Sequence, residues 1–346
     1  MGEKKNESNF EVIGVSSSPY TAKMRAVLRF RRIPFIWRCT YPQFDPDFAY
    51  LNPTLMPVVF FPDGKARDDS TPIILELESV APGYRSVRPA DPVLDLYSLL
   101  IEDMADEFLT KILYHYRFDA EADRSFATNW VMDDTYSALT NTELRAKAYA
   151  FLGRQLSRAG LVGATKENAA VFQRAFALLI EALDPMVARD AFLFGSRPSL
   201  GDFGLFGQLD TLCSDPTPSA MIRARAPRIE YWTRRMQDLS GVEGSWQQSD
   251  QPSPSVLALL RMAGTSYLPL LSANSEAYRN EEESYEVKVD GGTLQHPTFR
   301  YHAKCYRALR DAYSRLSDDD RKRAAPVLRE TGCLRFLDEP QRATER

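Results

Sequence analysis

Residues 10–15 read Phe-Glu-Val-Ile-Gly-Val and run straight into Ser16-Ser17-Ser18-Pro19; no other stretch constrains the fold as much. The first six are short, apolar and β-branched, the pattern of a strand. Ser18 followed by Pro19 reads as the N-cap and first residue of a helix. Met24, Val27, Leu28 and Ile33 then recur at helical spacing. The opposite face carries Lys23, Arg25, Arg29, Arg31 and Arg32 and is expected to be solvated. A strand feeding a helix through hydroxyls places helix N–H groups and Ser Oγ atoms together, which suits an anion.

The next sixty residues continue an α/β pattern. Pro34 ends the helix, and 35–39 (Phe-Ile-Trp-Arg-Cys) reads as a second strand. Residues 41–52 are aromatic and acidic, with irregular structure and a short helix expected. A third strand follows at 56–61, the turn Pro62-Asp63-Gly64, and a return strand at 65–68. Asp69-Ser70-Thr71-Pro72 opens a helix over 73–79. A Pro- and Gly-rich linker occupies 81–92.

From 93 to about 239 the pattern is helical throughout. Residues 94–115 read as one long helix, with others at 142–158, 167–189 and 203–212. Ser199 and Asp202 stand at the spacing of a capping box, with Asp in place of the usual Glu, and are read as structural. The tail, 251–346, offers helices at 254–263 and 299–316 around a hairpin near 285–292. The expected domains are therefore 10–83, 91–250 and an extension at 251–346.

A length of 346 residues is more than one core usually fills. With 44% apolar and 26% charged residues the composition is that of a globular protein, and a net charge of -4 gives no general reason to bind nucleic acid. Cys39, Cys213, Cys305 and Cys333 lie far apart with no CxxC pair, which argues for free thiols and against structural zinc. His302 and Cys305 form an i,i+3 pair near His296 without further matching ligands, so no metal is expected. His115 is expected to be an interior histidine. With no signal-like leader and no long uninterrupted apolar run, the expectation is a cytoplasmic protein without a membrane partner.

Three local motifs carry a family resemblance. Ser18-Pro19-Tyr20-Thr21-Ala22-Lys23-Met24-Arg25, Leu51-Asn52-Pro53-Thr54-Leu55-Met56-Pro57-Val58 and Asp69-Ser70-Thr71-Pro72-Ile73-Ile74 stand in that order. Over about 10–240 the chain resembles the cytosolic glutathione transferases, as a serine-type or atypical member with a C-terminal extension. The resemblance implies a thioredoxin-like N-terminal domain followed by a helical-bundle domain, here with an extra lobe. It implies glutathione as co-substrate, a small apolar electrophile as second substrate, and a homodimer. Ser18 would face the glutathione sulfur, with Ser16 and Ser17 as alternates. Tyr20, Met56, Pro57, Asp69 and Ser70 would bind glutathione, with a cis peptide before Pro57. The family's second-substrate pocket would take Met104, Phe108 and Tyr114. Loop 53–57 lacks the lysine often found there in the family.

A hydroxyl donating to sulfur favours the thiolate, which is the nucleophile. The same fold without turnover, as a binding or scaffold protein, and a glutathione-dependent isomerase or reductive lyase are the alternatives.

Overall fold

The computed structural model describes residues 9–51, 56–83, 85–136 and 141–338. The N-terminal region is β1 Phe10–Ile13, α1 Pro19–Phe30, β2 Phe35–Arg38, β3 Val58–Phe60, β4 Ala66–Arg67 and α2 Ser70–Val80. Its strand order is β2-β1-β3-β4. β1 pairs parallel with β2 and antiparallel with β3, so Val12 lies between Trp37 and Val59. The right-handed β1-α1-β2 crossover expected of a parallel pair, followed by a hairpin and α2, makes this a thioredoxin-like domain. Val12, Ile13, Val59, Met24, Val27, Leu28, Ile74 and Leu77 fill its core without solvent exposure.

The remainder is mostly helical: α3 Pro92–Met104, a wide π-turn Ala105–Leu109, α4 Thr110–Asp119, α5 Glu121–Tyr136, α6 Asn141–Arg158, α7 Ala169–Arg189, α8 Leu200–Leu212, α9 Pro216–Arg225 and α10 Pro227–Met236. Then come α11 Pro254–Met262, a second π-turn Ala263–Tyr267, α12 Leu268–Arg279, the hairpin β5 Ser284–Val289 and β6 Gly292–Pro297, α13 Arg300–Ser314, α14 Asp318–Glu330 and α15 Leu334–Leu337. Two compact units result, neither contiguous in sequence. The first is Met1–Val87, Tyr116–Ser157 and Phe203–Glu243; the second is Arg88–His115, Arg158–Asp202 and Gly244–Arg346.

In the first unit the cationic side of α1 is not the solvated surface the sequence suggests. Lys23 is fully buried and reaches Ser70 Oγ and Thr71 Oγ1 on α2 at 3.4 and 3.2 Å. Arg31 pairs with Glu78, Arg29 donates to the Gln237 carbonyl, and Arg25 stacks over Trp37. Long cationic side chains cover apolar surface while their heads find carbonyls and carboxylates, so charge alone did not mark the exposed face. Beside Pro19 and Lys23, Gly207 of α8 allows close approach: a Cβ there would lie 2.5 Å from the Pro19 carbonyl oxygen.

In the second unit the long helix expected over 94–115 is interrupted by the first π-turn. From that face three side chains, four residues apart, reach the C-terminal segment. Asp103 Oδ2 accepts from the Tyr267 hydroxyl at 2.6 Å, Glu107 lies 3.4 Å from His302 Nε2, and Lys111 Nζ lies 2.9 Å from His296 Nε2. The tail helix runs on to 279 instead of ending near 263. Gly264 and Pro269 look like stop signals in sequence, yet Gly264 serves a close contact, since its Cβ would sit 2.1 Å from the Thr331 carbonyl. The wide turn before Pro269 accommodates a residue with no N–H to donate. Pro254–Arg279 is long and apolar enough to cross a membrane, and 67% of its apolar window is buried inside the protein. Val256, Leu259, Leu260, Leu268, Leu270 and Leu271 are core residues there, which accounts for its apolar character.

Candidate active site at the strand-to-helix corner

Gly14 ends β1 because nothing larger fits: a Cβ would meet Thr21 Oγ1 at 2.4 Å and the Met56 side chain at 3.2 Å. Its carbonyl accepts from Trp37 Nε1 at 2.9 Å. The chain then turns through three serines with different partners. Ser18 has extended backbone and caps α1, its Oγ accepting the Thr21 N–H at 3.3 Å, with Pro19 in the first turn. That bond uses the oxygen as acceptor and leaves the Ser18 O–H as a donor. Ser17 is buried, and its carbonyl accepts from Arg117 Nη1 at 2.8 Å. Ser16 accepts at Oγ from Trp130 Nε1 at 2.6 Å and donates to Asp134 at 2.9 Å.

Two further features complete the corner's surroundings. The Met56–Pro57 peptide is cis and leads into β3, next to the space that Gly14 leaves open. Asp69 has φ 74° and ψ 108° and makes no side-chain cap bond to α2, which starts at Ser70. Left-handed backbone is uncommon for a residue with a side chain and is found where function or turn geometry demands it. Ser70 is buried at this helix mouth, with the Lys23 ammonium beside its hydroxyl. The same small domain thus presents a hydroxyl at one helix N-terminus, a cis-proline strand end, and a second hydroxyl at another helix N-terminus with a cation close by.

Residues 17–80 match the family model described as glutathione S-transferase, N-terminal domain. This segment belongs to the glutathione S-transferase family. No curated protein matches the chain in sequence. Among solved structures, the β-etherase LigF of Sphingobium sp. strain SYK-6 is similar at 20% identity over 66% of this chain and 94% of its own, with a TM-score of 0.48. A GST-like protein from Pseudomonas syringae is similar at 16% identity over 75% of each chain, TM-score 0.45. A glutathione S-transferase from Methylobacterium radiotolerans, crystallised with glutathione sulfonate, is 18% identical over 70% of this chain and 99% of its own, TM-score 0.41.

Within the glutathione S-transferase domain and its unit, Ser16, Ser17 and Ser18 share one turn, while Asp69 and Ser70 stand at the other helix start. Tyr20 is half-buried in the first turn of α1. Residues 52–55 of the loop before Met56 lie outside the described residues. Met104 and Phe108 belong to the second unit and have no exposed surface; Phe108 packs on Tyr267 with ring centroids 6.5 Å apart. Tyr114 is half-buried in the same unit. Ser199 and Asp202 make the reciprocal cap of α8: Ser199 Oγ donates to Asp202 Oδ2 at 2.6 Å, and the Asp202 N–H returns to Ser199 Oγ at 3.4 Å. Burial raises the Asp202 carboxyl to about 6 against these bonds. His296 and His302 come together with rings 5.4 Å apart, and the Lys111 ammonium faces His296 Nε2.

Sequence reasoning missed Trp130, Asp134, Arg117 and Lys23. Trp130 and Asp134 are four residues apart on α5, hence on one helical face; that spacing was the available signal. Arg117 is buried, pairs with buried Asp215 at 3.3 Å, and is held below the usual guanidinium range by that burial. Burial lifts Asp215 to about 6, with Arg117 pulling the other way. An open cleft of about 490 Å³ lies beside Cys39, lined also by Glu11, Arg38, Thr40 and Phe60.

Proposed function

We propose that this chain is a glutathione-dependent transferase, in which glutathione thiolate attacks a small apolar electrophile. The observation that carries the reading is the pairing, in one thioredoxin-like domain, of the Ser18 corner with the cis Met56–Pro57 strand and the Asp69–Ser70 helix start. A tripeptide with two carboxylates and a thiol needs anion acceptors at separated points, and helix N-termini provide them. Ser70 and the amide groups at the start of α2 would hold the γ-glutamyl carboxylate, with Asp69 toward its ammonium. The Met56 backbone before Pro57 would bind the cysteinyl part as a strand partner, and Tyr20 would flank the ligand. Ser18 would donate its hydroxyl proton to the sulfur and favour the thiolate. In the reaction the sulfur forms a bond to the electrophilic carbon and the leaving group departs with its electron pair. Holding the thiolate beside the acceptor supplies the rest of the acceleration.

Calorimetry with glutathione tests binding, and an aryl-halide conjugation assay with Ser18→Ala tests the role of the hydroxyl. Loss of one hydrogen-bond donor to a developing or resident anion costs on the order of 10²-fold in turnover. Unchanged turnover and thiol pKa in Ser18→Ala would remove Ser18 from the mechanism. A non-catalytic binding protein is the second reading, favoured by the Asp134 carboxylate standing on the corner's amides. Binding without turnover across a panel of electrophiles and thioethers would bring it forward.

A further inference from the structure

The corner is not an empty anion site. Asp134 Oδ2 accepts the Ser16 N–H at 2.7 Å and the Ser17 N–H at 3.2 Å, and both its oxygens lie 2.9 Å from Ser16 Oγ. Trp130 holds Ser16 Oγ from the other side, so this hydroxyl has both a donor and an acceptor partner. Successive backbone N–H groups at a strand-to-helix turn are what bound anions use. Asp134 is half-buried, and it comes from α5, outside the segment that carries the family match.

We propose that Asp134 is the specificity-determining residue of this corner: its carboxylate occupies the amide and hydroxyl donors that an anionic ligand atom would use, and so biases the site toward a group that is neutral there. The proposal rests on the glutathione reading for its ligand, but not for its electrostatics. A like charge disfavours the ionised form of a neighbour, so Asp134 opposes the thiolate that Ser18 would favour. The same charge acts on a resident thiol. Cys39 is pushed up to about 12 by burial first and by the neighbouring Asp134 carboxylate second. Arg25 and Arg117, of the opposite sign, act against this field, and at Cys39 the effect of Arg25 is smaller than that of Asp134.

Two ligands isolate the charge at sulfur: S-methylglutathione, neutral there, and glutathione sulfonate, anionic there. Their dissociation constants are measured by calorimetry on wild type and Asp134→Asn. The expected result is a shift of the ratio toward the sulfonate by about tenfold or more in the variant. A ratio unchanged or shifted the other way overturns the proposal. If wild type binds neither compound, the glutathione reading fails, and alkylation of Cys39 by iodoacetamide at pH 8.5 decides separately. Asp134→Asn should then react several-fold faster, and an unchanged rate overturns the role of Asp134. Should the variant not fold, wild-type crystals soaked in glutathione sulfonate give the answer. The Asp134 carboxylate should leave the Ser16 and Ser17 amides when the sulfonate binds at the corner, and sulfonate seated there with both bonds intact overturns it.

Discussion

The contact between Lys111 and His296 makes a quantitative claim about pH. His296 is buried, its Nδ1 faces the Pro297 carbonyl at 2.6 Å and its Nε2 faces the Lys111 ammonium at 2.9 Å. Nδ1 therefore carries the proton and Nε2 accepts from lysine, which leaves no place for a second proton on the ring. Burial first, then Lys111 and His302, push its pKa down from 6.5 to about 2. Because the folded pKa is depressed, the stability is present above 6.5 and is lost as pH falls toward the folded value. At pH 5 the unfolded chain has taken up this proton and the folded chain has not. The loss is about 1.4 kcal/mol per pH unit for one proton, or about 2 kcal/mol between pH 7 and 5.

The wild-type curve alone mixes this with other groups. Asp202, Asp210 and Asp215 are raised to about 6, chiefly by burial, and so gain stability over the same interval as pH falls. The comparison is therefore with His296→Gln, whose side-chain carbonyl can accept from Lys111 and does not titrate. Lys111 itself is lowered to about 8, chiefly by burial, and stays charged below pH 7. Urea denaturation of both proteins at pH 7 and 5 should show the stability gap narrowing by about 2 kcal/mol at pH 5. A gap that stays constant within about 0.5 kcal/mol, or that widens, would refute the assignment of a neutral buried ring.

Other expectations follow from single contacts. Ser70→Ala should weaken glutathione binding by roughly tenfold to a hundredfold in calorimetry, as expected for a lost hydrogen bond to a charged group; unchanged affinity would place the carboxylate elsewhere. Ser199→Ala should lower thermal stability by about 1–2 kcal/mol at pH 7 through loss of the α8 cap. That loss should shrink at pH 5, where Asp202, raised by burial, takes a proton. Gly207→Ala pushes a methyl group against the Pro19 carbonyl and should cost about 1–3 kcal/mol, measurable as a lower urea midpoint; no loss would mean that α1 and α8 have room to separate.

Much of the fold was legible because its signals are local. A short apolar, β-branched run marked β1, Ser18-Pro19 marked the start of α1, and the Ser199–Asp202 spacing marked the α8 cap. Residues that break local rules for non-local reasons were misread. The tail helix is expected to end at 263, yet it runs on past Gly264, which is in contact with Thr331, and the basic side of α1 looked solvated although Lys23 is buried against α2. The π-turn at Ala105–Leu109 has no sequence signature at all. Asp103, Glu107 and Lys111, in and beside it, face partners from some 160 to nearly 200 positions away.

The candidate site divides along the same line. The sequence by itself determined that a serine would cap α1 after β1, that a proline would follow Met56, and that Asp69-Ser70 would open α2, since each depends on neighbours in the chain. Only the tertiary structure decided what surrounds these groups. It set the three serines apart by partner, put Lys23 beside Ser70, and brought the Asp134 carboxylate onto the corner from 118 residues away. Caps and turns are written in adjacent residues, whereas the charge felt at a site is a sum over whatever folding brings near it.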